Sequence, residues 1–314
     1  MTKRFAVVFP GQGSQSIGML AVLGNGSKAV RDTFAEASQA LGEDLWALAQ
    51  GGPEEKLNDT RWTQPVLLTA GVATWRAWLE AGGAHPAQMA GHSLGEYTAL
   101  VAAGALSLAD GVKLVAERGR LMQDAVPAGT GAMAAILGLD DDAVRAACAQ
   151  AAQGEVVEAV NLNAPGQVVI AGGKDAVARA IDACKSAGAK RAVALPVSVP
   201  SHCALMKQAA EKLAVRLRDT AIAVPSVPVV NNADVAVAVS ADEIRAALVR
   251  QLHSPVRWVE TVAKLAGDGA AVIVECGPGK VLTGLNKRIA KEADCLCAQD
   301  PESLAAALAV VNGG

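Results

Sequence analysis

Gly91-His92-Ser93-Leu94-Gly95 has the spacing of a nucleophile elbow, Gly-x-Ser-x-Gly. In such an elbow a serine is forced onto a sharp turn between a strand and a helix. The flanking glycines accept a crowded backbone, and the hydroxyl is left exposed and open to acylation. Three fixed positions recur by chance roughly 0.1 times in a chain of this length, so the neighbouring segments decide the weight of the match. Upstream, 65–80 reads as a helix carrying Trp75 and Trp78, 82–86 as a loop, and 88–90 as a short strand feeding the turn. Downstream, 94–103 is helix-like and Gly104 is a natural stop. Ser107, followed by Asp110, resembles a helix start with a variant capping box. Strand, serine turn and helix thus occur in the order an elbow requires.

Further out, the apolar run 5–9 is ended by Pro10-Gly11, which suits a strand buried on both faces of a parallel sheet. Between 129 and 197 the pattern changes. An apolar run (132–139), a helix (141–152), two β-like runs (156–161 and 168–171), a second helix (175–187) and a last run (192–197) give β-α-β-β-α-β, the order of a ferredoxin-like domain. Helices are expected at 201–219, 242–252 and 256–266, with a proline-bearing strand at 224–230. A buried strand at 271–275, closed by Gly277-Pro278-Gly279, precedes a helix reaching about residue 290. The expected architecture is α/β: a large α/β-hydrolase-like domain with a parallel sheet, formed by 1–128 and 198–314, and a small ferredoxin-like domain inserted at 129–197.

A chain of 314 residues, 52% hydrophobic and only 3% aromatic, can bury a large aliphatic core and accommodates about two domains. The formal net charge of -3 supplies no global basic field for nucleic acid or anionic membranes, so an acidic partner would need a local patch. The six cysteines are scattered, with neither a C-x-x-C pair nor the histidine spacing of a zinc site, and read as buried free thiols in a reducing compartment. The apolar start is too short for a signal peptide, and no run approaches the ~20 residues of a membrane span. A soluble, cytoplasmic protein is expected.

A serine hydroxyl needs a general base, and histidine is the usual one near neutral pH. His92 belongs to the tight turn, so its ring should point away from the hydroxyl. His85 precedes Pro86 in a loop and reads as a surface residue. His202 follows Pro200-Ser201, a plausible N-cap pair, and has Leu205, Met206 and Ala209 at +3, +4 and +7. That spacing puts it on the buried face of a helix at its first turn, where the helix terminus disfavours imidazolium; a core histidine with satisfied hydrogen bonds is the competing account. His253 comes second. Arg118 shares its helical stripe with Leu114, Val115, Leu121 and Met122. A guanidinium there is costly unless paired, and its planar fork suits a carboxylate; an internal ion pair or snorkelling would also satisfy it. The loop Phe9-Pro10-Gly11-Gln12-Gly13-Ser14-Gln15 fails as a dinucleotide motif because Ser16 stands where the third glycine belongs. It can instead offer a backbone N–H which, with that of Leu94, would form an oxyanion hole. The turn 276–280 imitates a phosphate loop but has Val281 where Ser or Thr is needed.

Taken together, these segments resemble the malonyl-CoA:acyl carrier protein transacylases of fatty acid synthesis, essentially end to end. The likeness is carried by FPGQGSQ from Phe9, TQP from Thr63, GHSLGEY from Gly91, ERGRLM from Glu117, NAPGQVVIAG from Asn163, PVSVPSHCALM from Pro196 and RQLHSPVRW from Arg250. The resemblance implies Ser93 as nucleophile, His202 as its base and Arg118 as the clamp for the free malonyl carboxylate. It further implies Gln12 and Leu94 as oxyanion donors and Gln251 as the residue whose main-chain carbonyl orients the histidine, so that a dyad replaces Ser-His-Asp. Gln64 and Asn163 fall in matching segments and would line the pocket. The implied reaction is ping-pong, from malonyl-CoA through a malonyl-serine to the phosphopantetheine thiol of acyl carrier protein, with neither metal nor redox cofactor.

Ser201 beside His202 resembles the Ser-His pair of methylmalonyl-selective polyketide acyltransferases as much as a malonyl-selective one. A polyketide or malonate-breakdown acyltransferase therefore stays open, as does a serine thioesterase or esterase, which would have no need of Arg118. Acyl carrier proteins are acidic, and Lys280, Lys287, Arg288 and Lys291 form a candidate basic docking patch, with a merely solvated helix face as the alternative.

Overall fold

The computed structural model describes residues 2–197 and 199–313. β1 (Phe5–Phe9) is hydrophobic at every position, and its residues divide between two cores. Phe5, Val7 and Phe9 face the larger cluster, with Leu68 and Trp78; Ala6 and Val8 face the other, with Val262, Trp258 and Ile273. A strand covered on both faces needs no polar alternation, which is why a continuous apolar run suffices. β1 pairs in parallel with β2 (Gln88–Gly91) on one side and β8 (Val272–Glu275) on the other. With β7 (Val229–Val230) and β9 (Asp294–Cys297) these make a five-stranded parallel sheet, ordered β7-β2-β1-β8-β9.

Because the strands are parallel, the turns that follow β1, β2 and β8 emerge at one edge of the sheet. The elbow leaves β2 there, beside the loop 10–13 that leaves β1. Phe9 pairs with Gly91, and the ladder runs one bond further, from His92 N to Phe9 O at 3.0 Å.

A separate antiparallel sheet is formed by β3 (Gly131–Leu137), β4 (Val157–Ala164), β5 (Gln167–Gly173) and β6 (Arg191–Ala194), ordered β4-β5-β3-β6. Helices Asp141–Ala152 and Lys174–Ser186 pack on it through Val144, Ala147, Cys148, Ala176, Val177 and Ala180, enclosing a core of its own. The expected order of elements between 129 and 197 is thus present. The strand β4 also touches the larger body: Val256 N donates to Val160 O at 2.8 Å, and Leu162 N donates to Val256 O at 3.0 Å. The expected boundary at Ser198 lies outside the described residues.

Several local expectations need correction. The helix expected from Pro65 begins at Thr60, capped by Asp59, whose carboxylate accepts from Arg61 N at 3.0 Å; Pro65 lies inside it, on the second turn. Only Val229–Val230 of the 224–230 run is strand, since Pro225 and Pro228 cannot donate to a ladder. The helix expected from Ser201 starts at Lys207, after a 3-10 turn Ala204–Met206. β9 and the helices between residues 21 and 58 lay outside the expected elements. Helix Leu108–Gln123 begins as read, with Ser107 Oγ accepting from Asp110 N at 2.9 Å.

Candidate active site

Ser93 has φ 53° and ψ -108°, a conformation an L-residue adopts only under constraint. The constraint is visible on both sides. A Cβ on Gly91 would sit 1.9 Å from Gly95 C, and one on Gly95 would sit 2.1 Å from Phe9 O. Both glycines are required by close approach. Asn232, fully buried, staples the turn: its Oδ1 accepts from Ser93 N at 2.7 Å and its Nδ2 donates to Gly91 O at 2.7 Å.

Ser93 Oγ lies 2.7 Å from His202 Nε2. On the other edge of the ring, Nδ1 is 2.8 Å from Gln251 O. A carbonyl can only accept, so Nδ1 carries the hydrogen and Nε2 presents its lone pair to the serine. His202 does not stand on a first helical turn as expected; it occupies a turn with φ 65° ahead of the 3-10 segment. A helix terminus is therefore not what keeps the ring neutral. Burial at 2% exposure, assisted by the nearby Arg118 cation, lowers its pKa to about 3.

Arg118 is 1% exposed. Its Nη1 donates to Gln64 Oε1 at 2.8 Å, and its Nη2 donates to Gln251 Oε1 at 3.0 Å and to Ser93 Oγ at 3.2 Å. The guanidinium carbon stands 5.2 Å from the centre of the Tyr97 ring. Among the described residues no carboxylate contacts Arg118, and its Nε has no hydrogen-bond partner. The internal ion pair that the sequence left open is absent here; a buried cation faces the serine with neutral oxygens as its only acceptors.

Ser93, His202, Arg118, Gln251 and Gln64 thus form one hydrogen-bonded cluster. The N–H groups of Gln12 and Leu94 donate to nothing among the described residues, and Gly11 abuts the elbow closely enough that a Cβ there would lie 2.5 Å from His92 O. Asn163 is not in the cluster: its Oδ1 is 2.8 Å from His92 Nε2, and the His92 ring packs on Trp258 with centroids 5.5 Å apart. His92 is turned from the hydroxyl, as the tight turn implied. His85 is exposed and edge-on to Trp75, and His253 ends helix Ala241–Leu252. All six cysteines are free and five are buried.

Two site residues escaped the sequence reading. Asn232 follows the short strand β7, and only the Asn231-Asn232 pair after an apolar run signalled it. Glu96, an acid inside the apolar helix Leu94–Ala102, is 2% exposed and accepts from both Asn232 N and Gln251 Nε2 at 2.9 Å.

Comparison with known proteins follows the same lines. The model of the acyl transferase domain family matches residues 6–306. The chain belongs to that family. Among acyl transferases it is 60% identical over 305 residues to malonyl CoA-acyl carrier protein transacylase of Escherichia coli K12, covering 97% of this chain and 99% of that protein. The corresponding Bacillus subtilis protein is 44% identical over 306 residues, 97% of this chain and 96% of its own length. The crystal structure of an acyl carrier protein S-malonyltransferase from Vibrio cholerae superposes with a TM-score of 0.95 at 58% identity, covering 97% and 99% of the two chains. A malonyl-transacylase solved in complex with its holo type II PKS acyl-carrier protein gives 0.96 at 58% identity, covering 98% and 99%. A parallel sheet with a separate antiparallel sheet is the architecture this chain shares with these acyl transferases.

Proposed function

We propose that this chain transfers the malonyl group of malonyl-CoA to the phosphopantetheine thiol of acyl carrier protein, through a malonyl ester on Ser93, in fatty acid biosynthesis. One observation carries the reading: Ser93 Oγ is bonded at the same time to a neutral imidazole nitrogen and to a buried guanidinium that no carboxylate among the described residues contacts. The imidazole makes the serine a nucleophile, and the guanidinium asks for an acyl group that brings its own carboxylate. Names of relatives 60% identical over nearly the full length support the same activity.

In the first half-reaction His202 Nε2 takes the Ser93 proton as Oγ adds to the thioester carbonyl. The oxyanion is received by the N–H groups of Leu94 and Gln12, and His202 returns the proton to the departing thiolate of CoA. In the second, the carrier thiol gives its proton to His202 and attacks the ester, and Ser93 leaves as its hydroxyl. Gln251 O holds the imidazole tautomer throughout, so main chain does here what Asp does in a triad. Arg118 aligns the malonyl carboxylate, Gln64 holds Arg118, and Asn163 borders the pocket through His92.

The order β4-β5-β3-β6 with two helices supports a ferredoxin-like reading of residues 129–197, inserted in an α/β-hydrolase-like body made of 1–128 and 198–314. Exposed Lys280, Lys287 and Lys291 support a basic docking face for the acidic carrier. Arg288 is committed elsewhere, donating to Gln167 Oε1 at 2.6 Å and to Pro165 O, so it straps the antiparallel sheet to helix Val281–Ile289. No described helix is long and apolar enough to cross a membrane, which accords with a cytoplasmic enzyme. A hydrolase would share the dyad, but a buried cation against the nucleophile serves no neutral ester. The deciding experiment is intact-mass measurement after mixing with malonyl-CoA and then with holo acyl carrier protein. A malonyl adduct is expected on the native chain, absent from Ser93→Ala and discharged onto the carrier; discharge mainly to water would refute transfer.

A further inference from the structure

Glu96 lies one turn beyond Ser93 on helix Leu94–Ala102, and the steps above give it nothing to do. Its Oε2 accepts from Gln251 Nε2 at 2.9 Å, while the Oε1 of the same amide accepts from Arg118 Nη2 at 3.0 Å. A buried carboxylate and a buried guanidinium are thereby joined through one neutral amide, whose two ends match the sign of each. The second bond to Glu96 Oε2, from Asn232 N at 2.9 Å, ties the same carboxylate to the residue that staples the elbow. Gln251 Nε2 also donates to Ser93 O at 2.9 Å, and its own carbonyl orients His202.

We propose that Glu96 is a positioning residue and the through-amide counter-charge of Arg118, and that its ionised fraction is protonated from solvent when an acyl group bearing a carboxylate is loaded onto Ser93. The proposal rests on the malonyl-transfer reading. Before loading, the Arg118 cation is balanced across the Gln251 amide by the Glu96 carboxylate. A malonyl carboxylate paired with Arg118 introduces a second anion into the same desolvated space, and two carboxylates on one guanidinium leave an uncompensated buried charge. The anion without direct contact to Arg118 is the one that is neutralised. Protonated Glu96 keeps the oxygen that receives Gln251 and Asn232, so the geometry persists while the charge changes.

The surroundings of Glu96 leave few rivals. β1, β2 and β7, which pack against its helix, carry no charged side chain. Helix Thr60–Glu80 carries Arg61, paired with Asp59, Arg76, paired with Glu36, and Glu80, bonded to Ser27, all on its outer side. Helix Leu108–Gln123 presents Arg118, its other charges being outward. Helix Ala241–Leu252 presents Gln251, with Asp242, Glu243 and Arg250 facing solvent and Arg245 bonded to Asp242 and to the carbonyls of Leu217 and Thr220. Tyr97 is neutral, burial pushing its phenol up to about 12. Asp234 is paired with Arg250 and, at a distance, disfavours ionised Glu96. Burial already raises the Glu96 carboxyl to about 7; the hydrogen bonds from Asn232 and Gln251 oppose that rise, and the Arg118 cation opposes it through charge. Pairing Arg118 with a substrate carboxylate cancels the share of that opposition that the cation supplies, while the two hydrogen bonds remain.

The test is proton uptake during single-turnover loading in weakly buffered solution near pH 7, read with an indicator dye while intact mass counts adducts. The native protein should take up about half a proton per malonyl adduct, as a group titrating near the working pH does, and none per acetyl adduct. Glu96→Gln, which keeps an accepting oxygen, should take up none with either. CoA thiol ionisation is common to all arms and cancels. A full malonyl adduct on the native protein without uptake, or equal uptake by malonyl and acetyl loading, overturns the Glu96 assignment alone, as does undiminished uptake in Glu96→Gln. No malonyl adduct at all overturns the transfer reading together with it. Should Glu96→Gln fail to fold, the malonyl-acetyl contrast in the native protein decides the matter.

Discussion

Replacing Arg118 with alanine separates acid recognition from the chemistry of the dyad. Arg118 is buried, donates to Gln64, Gln251 and Ser93, and touches no carboxylate among the described residues. A malonyl carboxylate seated on it would make a desolvated, hydrogen-bonded charge pair. Truncating one partner of such a pair costs about 2–5 kcal/mol, since the other charge is left buried and alone. At about 1.4 kcal/mol per decade this is a loss of roughly 30-fold to a few thousand-fold in kcat/KM for malonyl loading. An acetyl group has no carboxylate to strand; its loss comes only through the 3.2 Å bond to Ser93 Oγ and any drift of Gln251, and should stay within about tenfold. Truncation also orphans Gln64 Oε1 and Gln251 Oε1, at about 1–3 kcal/mol of stability each, so urea unfolding must first establish that the variant is folded under assay conditions. The assay is stopped-flow loading from malonyl-CoA and acetyl-CoA on one preparation. The ratio of the two rate constants cancels any common misalignment of Ser93 and His202. Equal losses on both substrates would refute the clamp.

Protonation gives a second test. Glu96 has its folded pKa raised from 4.5 to about 7, so the folded state binds its proton more tightly and this stabilisation is lost as pH rises through that window. Glu96→Gln should recover on the order of 3 kcal/mol at pH 8 relative to pH 4 in denaturant titrations; an unchanged pH profile would refute the shift. His202 has the opposite sign: its pKa is depressed from 6.5 to about 3, so its contribution is lost as pH falls from 6.5 towards 3. Acetyl loading by the free enzyme should accordingly show no acid limb near pH 6.5. Charge reversal at Lys280, Lys287 and Lys291 should slow transfer to acyl carrier protein on the order of tenfold at low salt and flatten its salt dependence. Unaltered rate and salt dependence would dismiss that face.

The elements built from strong local patterns were legible in advance: the elbow, β1, the capped helix Leu108–Gln123 and the alternating segments of the second sheet. Arg118 stood out because a charge on an apolar stripe demands an explanation, and the structure supplies one in its neutral partners. His202 was found for an imperfect reason. The i+3 and i+4 pattern that suggested a helix begins only after it, and its neutrality comes from burial beside a cation. Gln251 and Asn232 carry no signal of this kind. What matters at Gln251 is a main-chain oxygen, which every residue owns, and at Asn232 a side chain whose two partners lie about 140 residues away.

Val256 follows Gln251 by only five residues and is hydrogen-bonded in both directions to β4 of the antiparallel sheet. One short span of backbone therefore ends at the base's acceptor and begins at the seam between the two sheets. A substitution that shifts the edge of β4 by a fraction of an ångström would be delivered to the imidazole as a change of angle. Changes made at the edge of the small sheet should thus arrive as changes in turnover, because that edge and the acceptor of the His202 ring share a single mechanical lever.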